Sequence, residues 1–353
     1  MAKDSQSRIP YDRVRAVAWD EGRIKLIDQR LLPARLEYAC LDHLQEAADA
    51  IQNMVVRGAP AIGITAAYAV VLGARDHYQA DPEHWRTHLA SDFDPLYAAR
   101  PTAVNLSWAV DRMRALIDRV EGDPVAPLLE EAQRIHAEDI AANRCMGELG
   151  ASLIKEDSAI LTHCNTGALA TGGYGTALGV VRSGVAAGRI RDVYANETRP
   201  WLQGARLTAW ELLQEGIPVT ITADSAAASL MQQGRIQWVV VGADRVAANG
   251  DVANKIGTYA TALAAHHHGI GFMVVAPTST VDMTAASGAD IPIESRGEDE
   301  VLEFAGQRTA PDGTRAWNPS FDVTPAELID AIVTEKGVVK RPKQGKLDSF
   351  FRR

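Results

Sequence analysis

Cysteine is scarce in this chain of 353 residues: it has three, Cys40, Cys145 and Cys164, and no CxxC pair. Thiols so few and odd in number argue against a disulfide framework and against a thiolate zinc site, and they leave at least one thiol free. Basic charge is not in excess either. Lys and Arg total 36 against 45 Asp and Glu, a formal charge of -9, so the chain lacks the electrostatic footprint of a nucleic-acid binder, and any anion must be held by a local cluster. No apolar run reaches the roughly eighteen residues of a membrane span, and residues 1–12 lack the apolar core of a secretion signal, which implies a cytoplasmic protein without a membrane partner. Neither GxGxxG nor GxxxxGK[ST] occurs, and Gly172-Gly173-Tyr174-Gly175 fits neither. Neither a dinucleotide site nor a Walker-type triphosphate site is therefore supported.

What is present describes a folded protein: 46% hydrophobic and 23% charged residues, with 28 Gly and 16 Pro. The length suits two domains with proper cores. Residues 14–28 read as a β-hairpin around Glu21-Gly22, an acidic residue plus glycine being a tight-turn signal. Apolar residues then recur at helical spacing over 41–55, 61–72, 105–120 and 125–153, so residues 1–130 form a small, mostly helical N-terminal domain. From Ser158 the period changes to short, nearly continuous apolar runs at 159–162, 192–195, 218–222, 237–241 and 271–275. Helix-length segments at 176–187, 204–215, 225–233 and 255–268 separate them, and a further helix is expected at 325–334. Buried strands alternating with helices predict an α/β, doubly wound parallel sheet over 131–353.

In such sheets ligands sit beyond the carboxyl ends of the strands. The residues there are His163-Cys164-Asn165, Asn196-Glu197-Thr198-Arg199, Asp224, Gly242-Ala243-Asp244-Arg245 and Pro277-Thr278. Cys164 precedes a glycine loop whose N–H groups favour an anion, a setting that suits a thiolate; Cys40 and Cys145 read as small buried hydrophobes. Asp244 ends an apolar strand, where desolvation would raise its pKa for proton exchange, although a cap or a structural ion pair fits the same position. Arg57-Gly58-Ala59-Pro60, Arg100-Pro101-Thr102 and Asn254-Lys255 each precede an expected helix start and suit either phosphate binding or ordinary capping and ion pairing. His266-His267-His268 ends at Gly269 and reads as a helix C-terminus rather than a metal site, since adjacent helix positions point about 100° apart.

Four segments carry a resemblance: Arg57-Gly-Ala-Pro-Ala-Ile-Gly63, Leu161-Thr-His-Cys-Asn-Thr-Gly-Ala-Leu-Ala-Thr171, Glu197-Thr-Arg-Pro-Trp-Leu-Gln-Gly-Ala-Arg-Leu-Thr-Ala-Trp210 and Gly242-Ala-Asp-Arg-Val-Ala-Ala-Asn-Gly-Asp-Val-Ala-Asn-Lys-Ile-Gly257. Together they resemble the S-methyl-5-thioribose-1-phosphate isomerases of methionine salvage, a family related to the regulatory subunits of the initiation factor 2 exchange factor and to ribose-1,5-bisphosphate isomerases. The resemblance implies a helical N-terminal domain on a Rossmann-like C-terminal domain and a homodimer; no metal or cofactor is expected, since the chain shows neither a metal-ligand set nor a dinucleotide fingerprint. It implies Cys164 and Asp244 as the catalytic pair. Arg57, Gly58, Ala59, Arg100, Gln203, Asn254 and Lys255 would bind the sugar phosphate. Ser107 stands where the family pattern has an aromatic residue, and Ser295 and Gly297 where acidic residues are usual.

The implied reaction turns a cyclic aldose 1-phosphate into an open-chain ketose 1-phosphate. An acid must serve the ring oxygen, and a hydrogen must move from C2 to C1. Two groups exchanging protons at adjacent positions would suffice. Alternatives are isomerisation of ribose 1,5-bisphosphate or 5-deoxyribose 1-phosphate, or a non-catalytic regulatory subunit. Retention of both Cys164 and Asp244 argues against the last.

Overall fold

The computed structural model describes residues 11–100, 103–342 and 346–351. Residues 1–10, at the polar start of the chain, and Pro101 and Thr102, named above beside Arg100, lie outside them. The hairpin strands β1 (Val17–Asp20) and β2 (Arg23–Ile27) pair antiparallel as expected, and β3 (Tyr38–Leu41) adds a third strand to the sheet. Then come α1 (Leu44–Gln52), α2 (Ala59–Ala80), α3 (Trp85–Ala90), α4 (Phe93–Ala98), α5 (Val104–Ile117) and α6 (Val125–Ser152). The first four turns of α2 are buried on nearly every side, and its small side chains let α1, α5 and α6 pack closely around it. α6 spans residue 130 and also packs on elements further along the chain, so it joins the helical layer to the rest.

The remaining elements are β4 (Ser158–Thr162), α7 (Ala177–Ala186), β5 (Ile190–Asn196), α8 (Ala209–Gln214), β6 (Thr220–Thr222), α9 (Ala227–Gln232), β7 (Trp238–Val241), β8 (Arg245–Ala247), β9 (Val252–Lys255), α10 (Thr258–His268), β10 (Gly271–Val275), β11 (Val281–Asp282), α11 (Asp299–Leu302), β12 (Glu303–Phe304), β13 (Gln307–Arg308), β14 (Phe321–Thr324), β15 (Ala331–Thr334), β16 (Gly337–Lys340) and α12 (Lys346–Phe351). The main sheet has the order β16-β15-β10-β7-β4-β5-β6 and is parallel except for β16. All five expected strands are in it. The chain runs outward from β4 through β5 to β6, then returns to place β7 on the other side of β4. Strand order thus reverses between β4 and β7, and a crevice opens there at the carboxyl ends.

Three expectations are corrected, and one feature was not foreseen. Residues 325–334 are not a helix: a short 3-10 turn at Ala326–Leu328 leads into β15, a strand buried at all four positions between β10 and β16. The helix expected over 255–268 starts only at Thr258, so Asn254 and Lys255 belong to β9 and precede no helical turn directly. Strands β8, β9, β11 and β14 form a second, four-stranded sheet that the apolar runs did not reveal. Cys40 is exposed, because it lies on the solvent side of β3, and Cys145 is half-buried on α6. The histidine triplet does occupy the last turn of α10, with Gly269 left-handed at its C-cap.

Candidate active site

Cys164 and Asp244 follow β4 and β7, the neighbouring strands on either side of the reversal, where Leu161 aligns with Val239. They line one pocket together with Arg57, Gly58, Ala59, Arg100, Gln203, Asn254 and Lys255, so every residue expected in the catalytic pair or the sugar-phosphate site is brought to it. The pocket and its open mouth together span about 1110 Å³. His163, Asn165, Asn196, Glu197, Thr198, Arg199 and Asp224, also at strand ends, are not among its lining residues. His163 is buried and braced by the Ile256 carbonyl (2.8 Å) and the Asn196 amide (3.1 Å). Asp224 accepts from the Thr198 and Arg199 N–H groups, both at 2.7 Å.

Cys164 has φ 63°, a left-handed conformation unusual for a residue with a side chain. Two threonines hold it there: its N–H donates to Thr198 Oγ1 (2.9 Å), and its carbonyl accepts from Thr208 Oγ1 (2.7 Å). Thr208 closes a π-helical turn, Gly204–Thr208, which directly follows Gln203. Gly58, the N-cap of α2, has φ 92°, and a Cβ there would lie 2.5 Å from the Ala170 Cβ. Glycine is required for that close approach, which seats the start of α2 on the loop after Cys164. Arg57 is buried and forks onto Asn165, reaching Oδ1 at 2.9 Å and the main-chain carbonyl at 2.7 Å.

No helix follows Asp244. The chain enters β8 instead, and the Asp244 N–H donates to the Ala253 carbonyl at 2.9 Å, so the helix-cap reading does not apply. α10 is capped by another carboxylate: Asp322 accepts from the N–H groups of Gly257 (2.7 Å) and Tyr259 (3.1 Å), and burial pushes its pKa up to about 6. On β9, Lys255 places its ammonium 4.7 Å from the centre of the Phe321 ring, and Asn254 Nδ2 donates to Thr258 Oγ1 at 3.0 Å.

The electrostatics of the pocket are mutual. Burial pushes the Cys164 thiol above its ordinary pKa, while Arg57 and Lys255 pull it back. Asp244 is likewise raised by burial, against Lys255, Arg57 and Arg100. The Lys255 ammonium and the Arg100 guanidinium are lowered by the same desolvation, opposed by Cys164 and Asp244 for the lysine and chiefly by Glu294 for the arginine. Burial thus drives the Cys164 thiol and the Asp244 carboxyl toward their neutral forms while the neighbouring cations draw them toward their charged forms, which suits groups that gain and lose protons.

Residues that sequence reasoning missed also line the pocket: Met54, Thr166, Thr171, Thr176, Glu294 and Arg296. Glu294 faces Arg100 at 3.6 Å, and Arg296 ion-pairs with Glu300 and donates to Met54 Sδ at 3.0 Å. Ser295, noted above as a departure from the family pattern, lies between Glu294 and Arg296. Among the described residues, no cluster of three or more His, Cys, Asp or Glu side chains is placed to hold a metal ion.

The model of the Initiation factor 2 subunit family matches residues 55–341. The methylthioribose-1-phosphate isomerase of Thioalkalivibrio sulfidiphilus is 62% identical over 344 residues, covering 98% of this chain and 99% of that protein. The chain belongs to the methylthioribose-1-phosphate isomerase family. Among solved structures, the 5-methylthioribose 1-phosphate isomerase of Pyrococcus horikoshii OT3 superposes with a TM-score of 0.91 at 43% identity, covering 100% of this chain and 99% of that one. A structure titled translation initiation factor eIF-2B, subunit delta, from A. fulgidus gives a TM-score of 0.87 at 42% identity, covering 96% and 100%. The isomerase family thus shares its architecture with translation factor subunits, and the pocket is where function has to be read.

Proposed function

We propose that this chain isomerises S-methyl-5-thio-α-D-ribose 1-phosphate to S-methyl-5-thio-D-ribulose 1-phosphate, with Cys164 and Asp244 as the catalytic pair. The observation that carries this reading is the meeting of a thiol and a carboxylate, both drawn toward their protonated forms by burial, in a pocket that also holds Arg57, Arg100 and Lys255. The three cations, with the Gly58 and Ala59 backbone, Gln203 and Asn254, bind the phosphate and sugar oxygens. One member of the pair, in its protonated form, gives a proton to the ring oxygen as the bond from C1 to that oxygen breaks, and the other, in its ionised form, accepts the proton released as O2 becomes a carbonyl. The hydrogen at C2 passes to C1, so the reaction is redox-neutral overall and requires no external oxidant or reductant. Desolvation strengthens each of these polar interactions.

Met54, Ile62, Ala103 and Ile291, also in the lining, provide apolar surface suited to a methylthio group. Under this reading residues 1–130 form the helical unit and 131–353 the catalytic unit, in a cytoplasmic homodimer. The deciding experiment compares turnover of methylthioribose 1-phosphate with that of ribose 1,5-bisphosphate and 5-deoxyribose 1-phosphate, with the oligomeric state measured by light scattering. Preference for the thioether substrate is expected. Preference for the bisphosphate would move the chain to the neighbouring isomerase activity, and absence of turnover on all three would favour a regulatory subunit.

A further inference from the structure

Glu211 is fully buried and is not among the residues lining the pocket, yet its carboxylate organises two of the site's parts. It accepts from the N–H groups of Ala168 (2.5 Å) and Leu169 (3.1 Å), in the loop after Cys164, and from Asn165 Nδ2 (3.2 Å). The loop lies so close that a Cβ on Gly167 would fall 2.0 Å from Glu211 Oε1. Arg182, equally buried, donates to Glu211 at 2.7 Å and to Glu215 at 2.6 Å. Burial opposes the arginine's charge, but the two glutamates outweigh it and hold its pKa above the ordinary value.

The donor and acceptor inventory then fixes one side chain. Thr208 spends its hydroxyl hydrogen on the Cys164 carbonyl, so toward Asn165 Nδ2, 3.3 Å away, it offers only an acceptor. A carboxylate has acceptors alone. Facing Thr208 and Glu211, Asn165 must present its NH₂ group to both, and its Oδ1 is left to meet the Arg57 guanidinium. A flipped amide would set its NH₂ against the guanidinium, donor against donor, and its oxygen against two acceptors.

We propose that Glu211 is a positioning residue: by fixing the orientation of the Asn165 amide it holds Arg57 in place to receive the substrate's phosphate. The inference rests on the reading of Arg57 as a phosphate ligand, and the test separates the two. Steady-state kinetics with methylthioribose 1-phosphate, and inhibition by inorganic phosphate, are measured for Glu211→Gln, Glu211→Asp and Arg57→Ala. The amide introduced by Glu211→Gln has a donor as well as an acceptor and removes one of the acceptor-only groups that orient the Asn165 amide. Glu211→Asp keeps the buried charge beside Arg182 and withdraws the carboxylate from Asn165, so it serves if the glutamine variant does not fold. Either substitution is expected to raise KM and the inhibition constant for phosphate together, by about tenfold, with kcat at saturation changed less than about threefold. A lowered melting temperature with both constants unchanged would mean that Glu211 only supports the fold. If Arg57→Ala weakens phosphate binding and neither Glu211 variant does, the inference alone fails. If Arg57→Ala leaves phosphate binding intact, the assignment of Arg57 fails and the inference with it.

Discussion

Cys164 and Asp244 leave adjacent parallel strands at the one place in the main sheet where strand order reverses. Side chains at such a point extend into an open crevice, whereas at other strand ends crossover connections cover them. Cys164→Ser should keep the fold, since a hydroxyl is close in size to a thiol and both threonine hydrogen bonds go to the main chain. Turnover should fall by at least about 10²-fold, the usual cost of losing a positioned acid or base. Single-turnover rates and circular dichroism on the same preparation check both parts; near-normal turnover would remove Cys164 from the mechanism.

Asp244→Asn keeps the size of the side chain but cannot exchange a proton in the useful range, so its loss should appear in kcat. Lys255→Ala removes a cation that holds phosphate alike in ground and transition states, so KM should rise with a smaller change in kcat. Melting temperature and single-turnover rate at saturating substrate, measured for each variant, separate the two roles. Normal turnover of saturated Asp244→Asn would make Asp244 a binding group only.

Arg182 is enclosed with Glu211 and Glu215, and Glu215 in turn accepts from the N–H groups of Asp12 (2.8 Å) and Arg13 (3.0 Å). Arg182→Leu would strand two carboxylates in the interior, and breaking a buried ion pair from one side costs about 3–5 kcal/mol. Denaturant unfolding should register a loss of that order. Stability equal to the parent chain would mean that the cluster contributes nothing net.

Asp139, on α6, accepts from the Gly172 N–H (2.7 Å) and from Asn143 Nδ2 (2.8 Å), yet burial pushes its pKa from 3.8 up to about 6. Between those values the folded chain binds more protons than the unfolded one, so this group's contribution is full below pH about 4 and is lost as pH rises through about 6. Asp139→Asn removes that titration. The stability of the variant relative to the parent should therefore increase by up to about 3 kcal/mol across that window, read from urea unfolding at a series of pH values. A constant difference would mean that Asp139 does not titrate there.

Dialysis against a chelator should leave turnover unchanged, because the proposed proton exchanges use only side chains of the chain itself. Loss of activity restored by a single divalent ion would contradict this and would turn attention back to His266, His267 and His268.

Five of the seven strands of the main sheet were legible along the chain, because strands buried on both faces must be continuously apolar, as Trp238–Val241 and Gly271–Val275 are, and the reactive residues at their ends stand out against them. The motif segments likewise name Cys164, Asp244, Arg57 and Lys255 without reference to any contact. Tertiary packing prevails where a local pattern is short or ambiguous. β9 carries Asn254 and Lys255 into the pocket, but four residues reading Val-Ala-Asn-Lys have no strand period, and their conformation is set by pairing with Phe321–Thr324, far along the chain. Residues 325–334 are spaced like a helix, yet the last four extend because the edge of β10 offers hydrogen bonds and a buried face. Glu294 and Arg296 enter the pocket from a loop, and Glu211 acts through Asn165 on Arg57, a residue far from it in sequence. Such roles depend on which donor meets which acceptor across the fold, and no periodicity along the chain encodes that pairing.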